Sequence, residues 1–282
     1  MNILLTGSEG QLGKELQKQL TEKKFDFTAV DLPEVDISKY NNIQNIIIEE
    51  KPDIIINSAA NNDVDGCEDN EELAFKVNAI GPRNLAVMAA KVDAKFVHIS
   101  TDYVFAGDAV KPYREYDNTC PQTVYGKSKL MGEEFVHRHH KKHFIIRTAW
   151  LYGEGKNFVR TMLGLAEDRD EINVVDDQFG SPTSTVDLAK VIIKLMQTEY
   201  YGLYHGTCKG LCSWYDFACK IFELKKQDII INRVSSEEFK RPAPRPSYSV
   251  LDNFMLSLHN LNLFRNWEEA LAEYIKEGVK EE

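Results

Sequence analysis

The chain has 282 residues, of which 43% are hydrophobic and 28% charged, and a formal net charge of -10, as in a soluble globular protein with a large core. The negative charge argues against nucleic-acid binding, although a local site for an anionic nucleotide remains compatible with it. No uninterrupted apolar run reaches the roughly 20 residues of a membrane span and no signal-peptide pattern opens the sequence, so we expect a cytoplasmic protein without a membrane partner.

A short apolar strand opens the chain and leads into a glycine-rich turn. The strand is predicted at Ile3–Thr6, the turn contains Gly7, Gly10 and Gly13, and a helical pattern follows over Leu12–Leu20. In such a unit the first glycine makes the tight turn, the second lets the backbone approach a pyrophosphate, and the third lets the helix pack on the sheet. The G-x-x-G-x-x-G spacing therefore predicts a dinucleotide site, with an ordinary glycine turn as the alternative.

The second predicted strand, Phe27–Val30, ends at Asp31, about 20 residues beyond the glycine turn. An acid at this place can accept hydrogen bonds from the adenine ribose hydroxyls, whereas a 2′-phosphate would face its negative charge. No arginine is adjacent to Asp31, so the sequence favours NADH over NADPH. The alternative is a loop acid that starts the turn into Leu32-Pro33.

The third and fourth predicted strands, Asp53–Ser58 and Phe96–Ser100, also end in residues of interest. The third is followed by Ala59 and Ala60, whose small side chains let the backbone approach a cofactor. The fourth is followed by Thr101, whose hydroxyl can hydrogen-bond a substrate oxygen, with a β-branched strand residue without a role as the alternative.

The predicted helix Val124–His140 carries Tyr125 and Lys129, which the Tyr-x-x-x-Lys spacing places on one helix face. A tyrosine with an ordinary pKa of about 10 is a poor acid or base at neutral pH. A nearby ammonium is expected to lower that pKa and make Tyr125 a usable general acid or base. Alone the pair also fits an exposed amphipathic helix, but together with the dinucleotide site it predicts catalysis.

The remaining apolar runs and helical patterns continue the alternation of strands and helices. Strands are predicted at Phe144–Thr148 and Ile172–Val175, and helices at Ile43–Glu50, Leu73–Val92, Phe158–Glu167 and Val186–Gln197. This order predicts an α/β fold of the Rossmann type, a doubly wound parallel sheet with crossover helices. The cofactor is expected across the carboxyl ends of the first strands, and the chain after Trp150 is expected to close over it.

Five cysteines are expected to be free thiols, because a cytosolic chain of this size needs no disulfides. They are Cys67, Cys120, Cys208, Cys212 and Cys219. Two of these and His205 could be read as metal ligands. However, Ser213 and Asp216 have the spacing of a capping box, and Trp214, Phe217, Ile221 and Phe222 form an apolar helix face after it. We therefore predict thiols buried under that helix and no metal site.

Two other segments have distinctive compositions. The run from His137 to His143 contains four histidines, one arginine and two lysines, and it is predicted to be the solvated end of the helix that carries Tyr125. The stretch Arg241-Pro-Ala-Pro-Arg-Pro246 is predicted to be an extended surface segment.

Several further motifs follow one another in the order typical of one protein family. They are Ser100-Thr-Asp-Tyr-Val-Phe105, Tyr125 to Lys129, Arg147-Thr-Ala-Trp-Leu-Tyr-Gly153, Asn157-Phe158, Asp177-Gln178, Gly180-Ser-Pro-Thr183, Arg245-Pro246 and Ser247-Tyr-Ser249. With the glycine turn they resemble the extended branch of the short-chain dehydrogenase/reductase family, and within it the dTDP-4-dehydrorhamnose reductases. The resemblance covers nearly the whole chain.

The resemblance implies NAD(P)H-dependent reduction of the C4 ketone of a dTDP-linked 4-keto-6-deoxyhexose, dTDP-4-dehydro-L-rhamnose, to dTDP-L-rhamnose. It implies three catalytic residues, with Tyr125 as the general acid, Thr101 as hydrogen-bond partner of the ketone, and Lys129 bonded to the nicotinamide ribose. The implied cofactor-binding residues are Gly7, Gly10, Gln11, Leu12, Gly13, Asp31, Asp36, Ile37, Ala59, Ala60, Asn61, Asn78, Tyr125 and Lys129. The implied substrate-binding residues are Val64, Asp65, Thr101, Asp102, Tyr103, Trp150, Asn157 and Gln178.

The same resemblance implies a smaller, discontinuous C-terminal substrate-binding lobe. A cofactor domain is expected over residues 1–149 with a return segment near 183–207, and the lobe over 150–182 and 208–282. Family members often form homodimers, and some bridge subunits with Mg²⁺ through acidic residues. Glu15 matches the first of those positions, although a surface acid without a ligand is the favoured interpretation.

The chain departs from the family pattern after the third strand. It has Asn61-Asn62-Asp63 where an aromatic residue or histidine and then threonine are usual, and Gly66 where lysine is common. These departures weaken the transfer of nearby nicotinamide and substrate contacts, and they are expected to leave the proton-transfer residues untouched.

Three alternative functions stay open. One is reduction of another nucleotide sugar. Another is dehydration or epimerisation of one, but Tyr103 stands where related dehydratases carry a glutamate, and a phenol is too weak an acid for that role without an activating partner. The last is a non-catalytic regulatory subunit, against which the retention of Thr101, Tyr125 and Lys129 together argues.

Overall fold

The computed structural model describes residues 1–277, and its first half alternates strands with helices as predicted. The elements in this half are β1 (Asn2–Thr6), α1 (Gln11–Glu22), β2 (Asp26–Val30), α2 (Tyr40–Glu50), β3 (Ile54–Asn57), α3 (Val64–Asp69), α4 (Glu71–Phe75), α5 (Gly81–Lys91), β4 (Lys95–Thr101), α6 (Val124–His139) and β5 (His143–Thr148).

The second half contains shorter strands between longer helices. Its elements are β6 (Leu151–Tyr152), α7 (Phe158–Asp168), β7 (Glu171–Val175), β8 (Phe179–Gly180), β9 (Thr183–Ser184), α8 (Thr185–Leu195), β10 (Gly202–His205), β11 (Cys212–Ser213), α9 (Trp214–Lys225), β12 (Ile230–Val234), α10 (Phe254–Leu258) and α11 (Trp267–Lys276).

The main sheet has six strands in the order β10-β5-β4-β3-β1-β2, and every neighbouring pair is parallel. Helices cover both faces, which confirms the predicted doubly wound α/β fold. Strand β1 shows why both faces are covered: Ile3 and Leu5 enter one hydrophobic core, whereas Leu4 enters the other. Because alternate side chains of a strand point to opposite faces, a continuous apolar run buries itself on both sides.

The chain after Thr148 leaves this sheet and later returns to it. Helix α8 packs on α1, and β10 pairs with β5 as the last strand of the sheet. The predicted strand at Ile172–Val175 exists as β7, but it pairs with β12 in a separate two-stranded sheet and does not join the main one. The division into a cofactor domain and a substrate lobe stays a prediction.

The long helix predicted over Leu73–Val92 is present as a continuous helical run, but it is not α-helical throughout. The chain forms α4, then a single π-helical turn at Lys76–Ile80, and then α5. Pro82 explains the break, because proline has no N–H for the carbonyl four residues earlier and its ring crowds that carbonyl. That carbonyl belongs to Asn78. Gly132 of α6 packs closely against it, since a Cβ added at Gly132 would lie only 2.3 Å from the Asn78 carbonyl oxygen.

The prediction of a solvated end for the run from His137 to His143 is wrong for two of its histidines. His140 and His143 are buried, with 5% and 6% of their surface exposed. A ring nitrogen of His140 bonds the Ala94 carbonyl at 2.8 Å, and one of His143 bonds the His140 carbonyl at 2.6 Å. These bonds tie the end of α6 to the residue before β4 and to the start of β5, so part of the run is structural.

The predictions for the cysteines and for the following helix are confirmed. All five cysteines are free, and Cys208 and Cys212 are buried in the core that α9 covers. The capping box is present, since the Ser213 hydroxyl accepts from the Asp216 amide while the Asp216 carboxylate accepts from the Ser213 amide. Within residues 1–277, none of the helices is both long enough and apolar enough to span a bilayer.

Candidate active site

A cavity of about 1310 Å³ opens at the carboxyl ends of the parallel strands. More than half of the residues that we predicted to bind cofactor or substrate line it. These are Gly10, Gln11, Leu12, Gly13, Ala60, Val64, Thr101, Asp102, Tyr103, Tyr125, Lys129, Trp150 and Gln178. The glycine turn and the Tyr-x-x-x-Lys helix, more than 100 residues apart in the sequence, therefore face one space.

The glycine turn has the geometry needed for a close approach to phosphate. Gly7 has a φ of +76°, and a Cβ there would lie 2.3 Å from the Ala59 amide nitrogen. A Cβ on Gly13 would lie 2.1 Å from the Gly7 carbonyl oxygen. Helix α1 begins after Gly10 without a side-chain cap and without an acid in its first turn. Its free N–H groups and positive dipole end thus face the cavity, and this arrangement fits the diphosphate of a dinucleotide.

Asp31 lies beside this turn, at the end of β2. Its Oδ2 accepts from the Glu9 amide at 2.9 Å, and its Oδ1 accepts from the Leu32 amide at 2.8 Å. The carboxylate is therefore fixed next to the glycine turn, where a ribose hydroxyl would meet it.

Helix α6 brings Tyr125 and Lys129 against the end of β4. It begins with a Thr123 cap, whose hydroxyl accepts from the Gly126 amide at 3.0 Å. Gly126 permits the close approach, because a Cβ there would lie 2.2 Å from the Tyr103 carbonyl oxygen. Tyr125, Lys129 and Thr101 are all buried, at 8%, 2% and 5% exposure.

The expectation of a lowered pKa for Tyr125 is wrong, because the pKa is raised. Burial raises the pKa of the Tyr125 phenol, the nearby Thr101 hydroxyl offsets part of that rise, and the Asp102 charge adds to it. The free energy that a phenolate loses when it is removed from water exceeds the stabilisation that the surrounding groups give it. Tyr125 is therefore a protonated phenol, which is the form that a proton donor needs.

Lys129 is an equally buried group with a different partner. Its Nζ donates to the Ile99 carbonyl at 2.6 Å. Burial lowers the pKa of Lys129 to about 8, and the Glu133 carboxylate acts in the opposite direction. The ammonium form is thus only marginally favoured at neutral pH, which makes its charge sensitive to any molecule placed beside it.

Asp102 is a buried carboxyl group within this cluster, at 5% exposure. Its Oδ1 accepts from the Thr101 hydroxyl at 2.9 Å. Burial raises its pKa to about 6, while the Thr101 and Ser249 hydroxyls lower it. A carboxyl that titrates near neutral pH inside a cavity is typical of a functional site.

The departures from the family pattern do reach the proton-transfer residues, contrary to our expectation. Asn62 lines the cavity, and its Oδ1 accepts from the Tyr125 hydroxyl at 3.4 Å. Asp63 caps α3 by accepting from the Gly66 amide at 3.0 Å. A Cβ at Gly66 would lie 2.4 Å from Asp63 Oδ2, so these two departures depend on each other.

Two of the predicted substrate contacts are held by partners distant in sequence. Trp150 stacks on Trp214 with ring centroids 3.5 Å apart and an interplanar angle of 6°. Its φ of 48° lies in the left-handed region, which is strained for so large a residue. Gln178 donates to the Ser236 hydroxyl at 2.7 Å.

The other predicted residues lie outside the cavity lining. Asn157 caps α7, and its amide donates to the Gly153 and Gly155 carbonyls at 2.7 and 2.9 Å. Asn78 is buried and bonds both backbone groups of Asn61, at 2.8 and 3.1 Å, so it shapes the loop rather than the lining. The remaining members of this group are Gly7, Asp31, Asp36, Ile37, Ala59, Asn61 and Asp65.

The sequence did not predict that part of the proline-rich segment reaches the cavity. Arg241, Arg245 and Pro246 line it together with Phe239. Asp65 anchors this segment, since Oδ1 accepts from the Ala243 amide at 3.1 Å and Oδ2 accepts from Arg245 at 2.8 Å. The two arginines in this short run could have indicated a binding role. Asp65, which holds Arg245 in place, is 180 positions away in the sequence, so this contact could not be predicted.

The prediction of Mg²⁺ has no support in the described residues. No group of three or more His, Cys, Asp or Glu side chains within residues 1–277 could hold a metal ion. Glu15 accepts from the Gln19 amide at 2.6 Å, and burial raises its pKa.

Comparisons with known proteins agree with these features. A family described as the RmlD substrate binding domain matches residues 1–279. The chain is 44% identical over 276 residues to the spore coat polysaccharide biosynthesis protein SpsK of Bacillus subtilis, covering 98% of this chain and 97% of that protein. The crystal structure of a dTDP-4-dehydrorhamnose reductase from Clostridium acetobutylicum is 51% identical with a TM-score of 0.97, covering 98% of this chain and 99% of that one. The same enzyme from Bacillus anthracis in complex with NADP is 45% identical with a TM-score of 0.96 and the same coverage.

Proposed function

The chain belongs to the dTDP-4-dehydrorhamnose reductase (RmlD) family, and from this membership we propose that it reduces the C4 ketone of dTDP-4-dehydro-L-rhamnose to dTDP-L-rhamnose with NADPH or NADH. One observation carries the proposal: the glycine turn and the trio Thr101, Tyr125 and Lys129 face the same cavity. A dinucleotide site beside a buried proton donor is the arrangement that carbonyl reduction needs.

The residues present fit a dinucleotide cofactor. Gly10 to Gly13 form the phosphate-facing turn, Ala60 adds a small side chain at the next strand end, and Lys129 provides a cationic group deeper in the cavity. When bound, the reduced nicotinamide supplies the hydride. The B. anthracis relative was crystallised with NADP, whereas Asp31 beside the turn favours NADH here, so we propose that both cofactors are accepted.

Tyr125 is the group that donates a proton to the C4 oxygen. Burial keeps its phenol protonated, so the proton is held until charge develops on that oxygen. Thr101 lies beside Tyr125 at the end of β4 and gives the same oxygen a second hydrogen bond. The low exposure of both residues excludes water and strengthens these bonds.

The nucleotide part of the substrate needs positive charge, which the proline-rich segment provides. Arg241 and Arg245 line the cavity, and both are oriented by Asp65, at 3.8 and 2.8 Å. Arginine suits a diphosphate because its planar fork donates two parallel hydrogen bonds. In this view Asp65 acts on the substrate through the arginines, and Val64, Tyr103, Trp150 and Gln178 contact it from the cavity wall.

The alternatives have weaker support. Tyr103 is the residue that would replace a dehydratase acid, and burial raises the pKa of its phenol, so it is a poorer acid than a carboxyl group. A regulatory subunit would not need Thr101, Tyr125 and Lys129 buried in one cavity. We also propose a cytoplasmic homodimer and a product used in polysaccharide synthesis, the process for which the relative SpsK is named.

The test is a turnover assay with purified protein. NADPH or NADH and dTDP-4-dehydro-L-rhamnose are mixed, and both the absorbance of the reduced nicotinamide and the mass of the sugar nucleotide are followed. We expect loss of absorbance with a matching gain of two hydrogens in the sugar. Other dTDP-linked 4-keto sugars serve as competitors. Absence of turnover with intact ketone, or faster turnover of another sugar, would contradict the proposal.

A further inference from the structure

The Thr101 hydroxyl has a single hydrogen, and an ionised Asp102 would receive it. The distance from Thr101 Oγ1 to Asp102 Oδ1 is 2.9 Å. The same oxygen accepts from the Tyr103 amide at 3.2 Å. Because a hydroxyl has one donor and two acceptor sites, Thr101 retains only one free lone pair toward the cavity.

This hydrogen-bond pattern conflicts with the role that Thr101 needs during reduction. A ketone oxygen is an acceptor only, so it cannot bond a hydroxyl that offers only a lone pair. An ionised Asp102 could give up the hydrogen bond from Thr101 only at a large cost in free energy. It is 5% exposed, and within the described part of the chain its Oδ2 has no hydrogen-bond partner. Without the hydrogen bond from Thr101, the buried negative charge of Asp102 would have one fewer hydrogen-bond donor to stabilise it.

We propose that Asp102 is protonated during reduction and donates to Thr101, so that the hydrogen of Thr101 turns to the ketone oxygen. Thr101 then accepts from Asp102 and from the Tyr103 amide, and both of its lone pairs are used. The ketone oxygen receives hydrogen bonds from Thr101 and Tyr125. Asp102 is thus a positioning residue that acts through Thr101. The inference rests on the proposed function, because the ketone is the acceptor.

The surroundings of Asp102 favour the protonated form. The groups that face it are the hydroxyls of Thr101, Tyr125 and Ser249, the phenol of Tyr103 and the backbone amides of Asp102 and Tyr103. All of these groups are uncharged as long as Tyr125 keeps its proton. The cation of Arg245 pairs with Asp65 at 2.8 Å. Burial is the largest influence on Asp102, and it raises the pKa to about 6.

The direct test is the pH dependence of kcat at saturating NADPH and ketone in the wild type and in Asp102→Asn. An amide always offers a hydrogen to Thr101, as only the protonated acid does. In the wild type, kcat should fall about tenfold per pH unit above the pKa of Asp102 in the complex. In Asp102→Asn that fall should be absent. If the fall that begins at the pKa of Asp102 persists in the variant, or if kcat falls by one factor at every pH, the proposal is overturned.

A matched pair of variants separates action through Thr101 from a merely structural role. Thr101→Val removes the hydroxyl through which Asp102 is proposed to act. We expect Thr101→Val and Thr101→Val/Asp102→Asn to have the same kcat and the same pH profile. If Asp102→Asn still alters the pH profile in the Thr101→Val background, Asp102 does not act through Thr101 and the proposal fails.

An infrared measurement decides the protonation state without turnover. The difference spectrum between wild type and Asp102→Asn, each with NADPH and dTDP, isolates the carbonyl stretch of a protonated Asp102. We expect this band to persist to about pH 6 or above, where an ordinary aspartic acid is ionised. Only a carboxylate band at pH 5 to 6 would overturn the proposal. If the wild type does not reduce the ketone, the proposed function fails, and this measurement still reports on Asp102.

Discussion

Arg147 and Glu133 form a two-bond ion pair in the interior, one helical turn from Lys129. Arg147 Nε donates to Oε1 at 2.9 Å and Nη2 donates to Oε2 at 2.7 Å. The two side chains are only 4% and 6% exposed. The Ser100 hydroxyl also donates to Glu133, so the pair joins β4, β5 and α6. Glu133 raises the pKa of Lys129 against the effect of burial. This buried ion pair therefore influences the charge of Lys129.

Glu133→Gln should therefore alter both stability and cofactor binding. The amide leaves the buried Arg147 cation without its counter-charge, and breaking such a pair costs about 3–5 kcal/mol of the free energy of unfolding. The pKa of Lys129 should also fall, so that the pH dependence of NADPH binding moves to lower pH. Urea unfolding and the NADPH dissociation constant between pH 6 and 9 measure the two effects.

The matched control is the double variant Glu133→Leu/Arg147→Met, which removes both charges. It should cost less free energy of unfolding than Glu133→Gln alone, because no charge remains buried without a partner. A double variant that is less stable than the single one would show that the ion pair itself contributes the stability.

Asp65→Asn should weaken binding of the nucleotide sugar and leave the cofactor nearly unaffected. Asp65 is the acid that holds Arg245 at 2.8 Å and the Ala243 amide at 3.1 Å. Loss of the charge-assisted bond is expected to raise KM for the sugar nucleotide about tenfold. The exposed Asp69 at the end of the same helix provides a matched control in Asp69→Asn. An equal rise in KM for both variants would exclude a specific role of Asp65.

The fold was largely predictable because the main-sheet strands contain apolar runs that stand out from the helical patterns between them. Strand β3, Ile54–Asn57, is fully buried, and such a run needs helices on both faces. Strand β10, Gly202–His205, was not identified, because four residues beginning with glycine carry little pattern of their own. Its place in the sheet is fixed by pairing with β5, a tertiary contact. The π turn before Pro82 had a local signal in that proline, but the helical pattern on both sides concealed it.

Part of the candidate site could likewise be predicted from local motifs, whereas another part depends on residues that are distant in the sequence. Tyr125 and Lys129 are one helical turn apart, so their proximity follows from spacing alone. The bond between Asp65 and Arg245 joins residues 180 positions apart, and no spacing rule predicts it. The direction of the Tyr125 pKa also depends on burial, which the sequence does not contain. Ionisation could therefore be judged only once the three-dimensional surroundings were known.

Asp31→Asn should shift the cofactor preference toward NADPH. The amide oxygen can still accept from the Glu9 amide, as the carboxylate does at 2.9 Å, but the negative charge beside the ribose is removed. We expect the ratio of kcat/KM for NADPH to that for NADH to rise about tenfold, which corresponds to about 1.4 kcal/mol. Asp26→Asn, at the exposed start of the same strand, is the control. An unchanged ratio would place the ribose elsewhere.

Asp102→Asn should stabilise the protein at high pH only. The pKa of Asp102 is raised from 3.8 to about 6, so the folded state holds the proton more tightly than the unfolded state. This contribution is fully present below about pH 4 and is lost as the pH rises through about 6. Above that range the buried carboxylate costs on the order of 3 kcal/mol, which the neutral amide avoids. Urea unfolding at pH 4.5 and pH 8 measures the difference. An equal effect at both values would contradict the raised pKa.

Tyr125→Phe should remove most of the turnover while leaving cofactor binding nearly intact. The substitution takes away the proton donor but keeps the ring, its packing against Tyr103 at 5.5 Å and the bond from Lys129 to the Ile99 carbonyl. Because general acid catalysis contributes about 10²–10⁴, kcat should fall by that factor. The NADPH dissociation constant should hardly change, in contrast to Lys129→Ala, which loses the cationic group and should weaken both. Stopped-flow kinetics and fluorescence titration provide the two measurements. If Tyr125→Phe turned over at the wild-type rate, another group would have to donate the proton, and the buried phenol beside Thr101 would not be the acid.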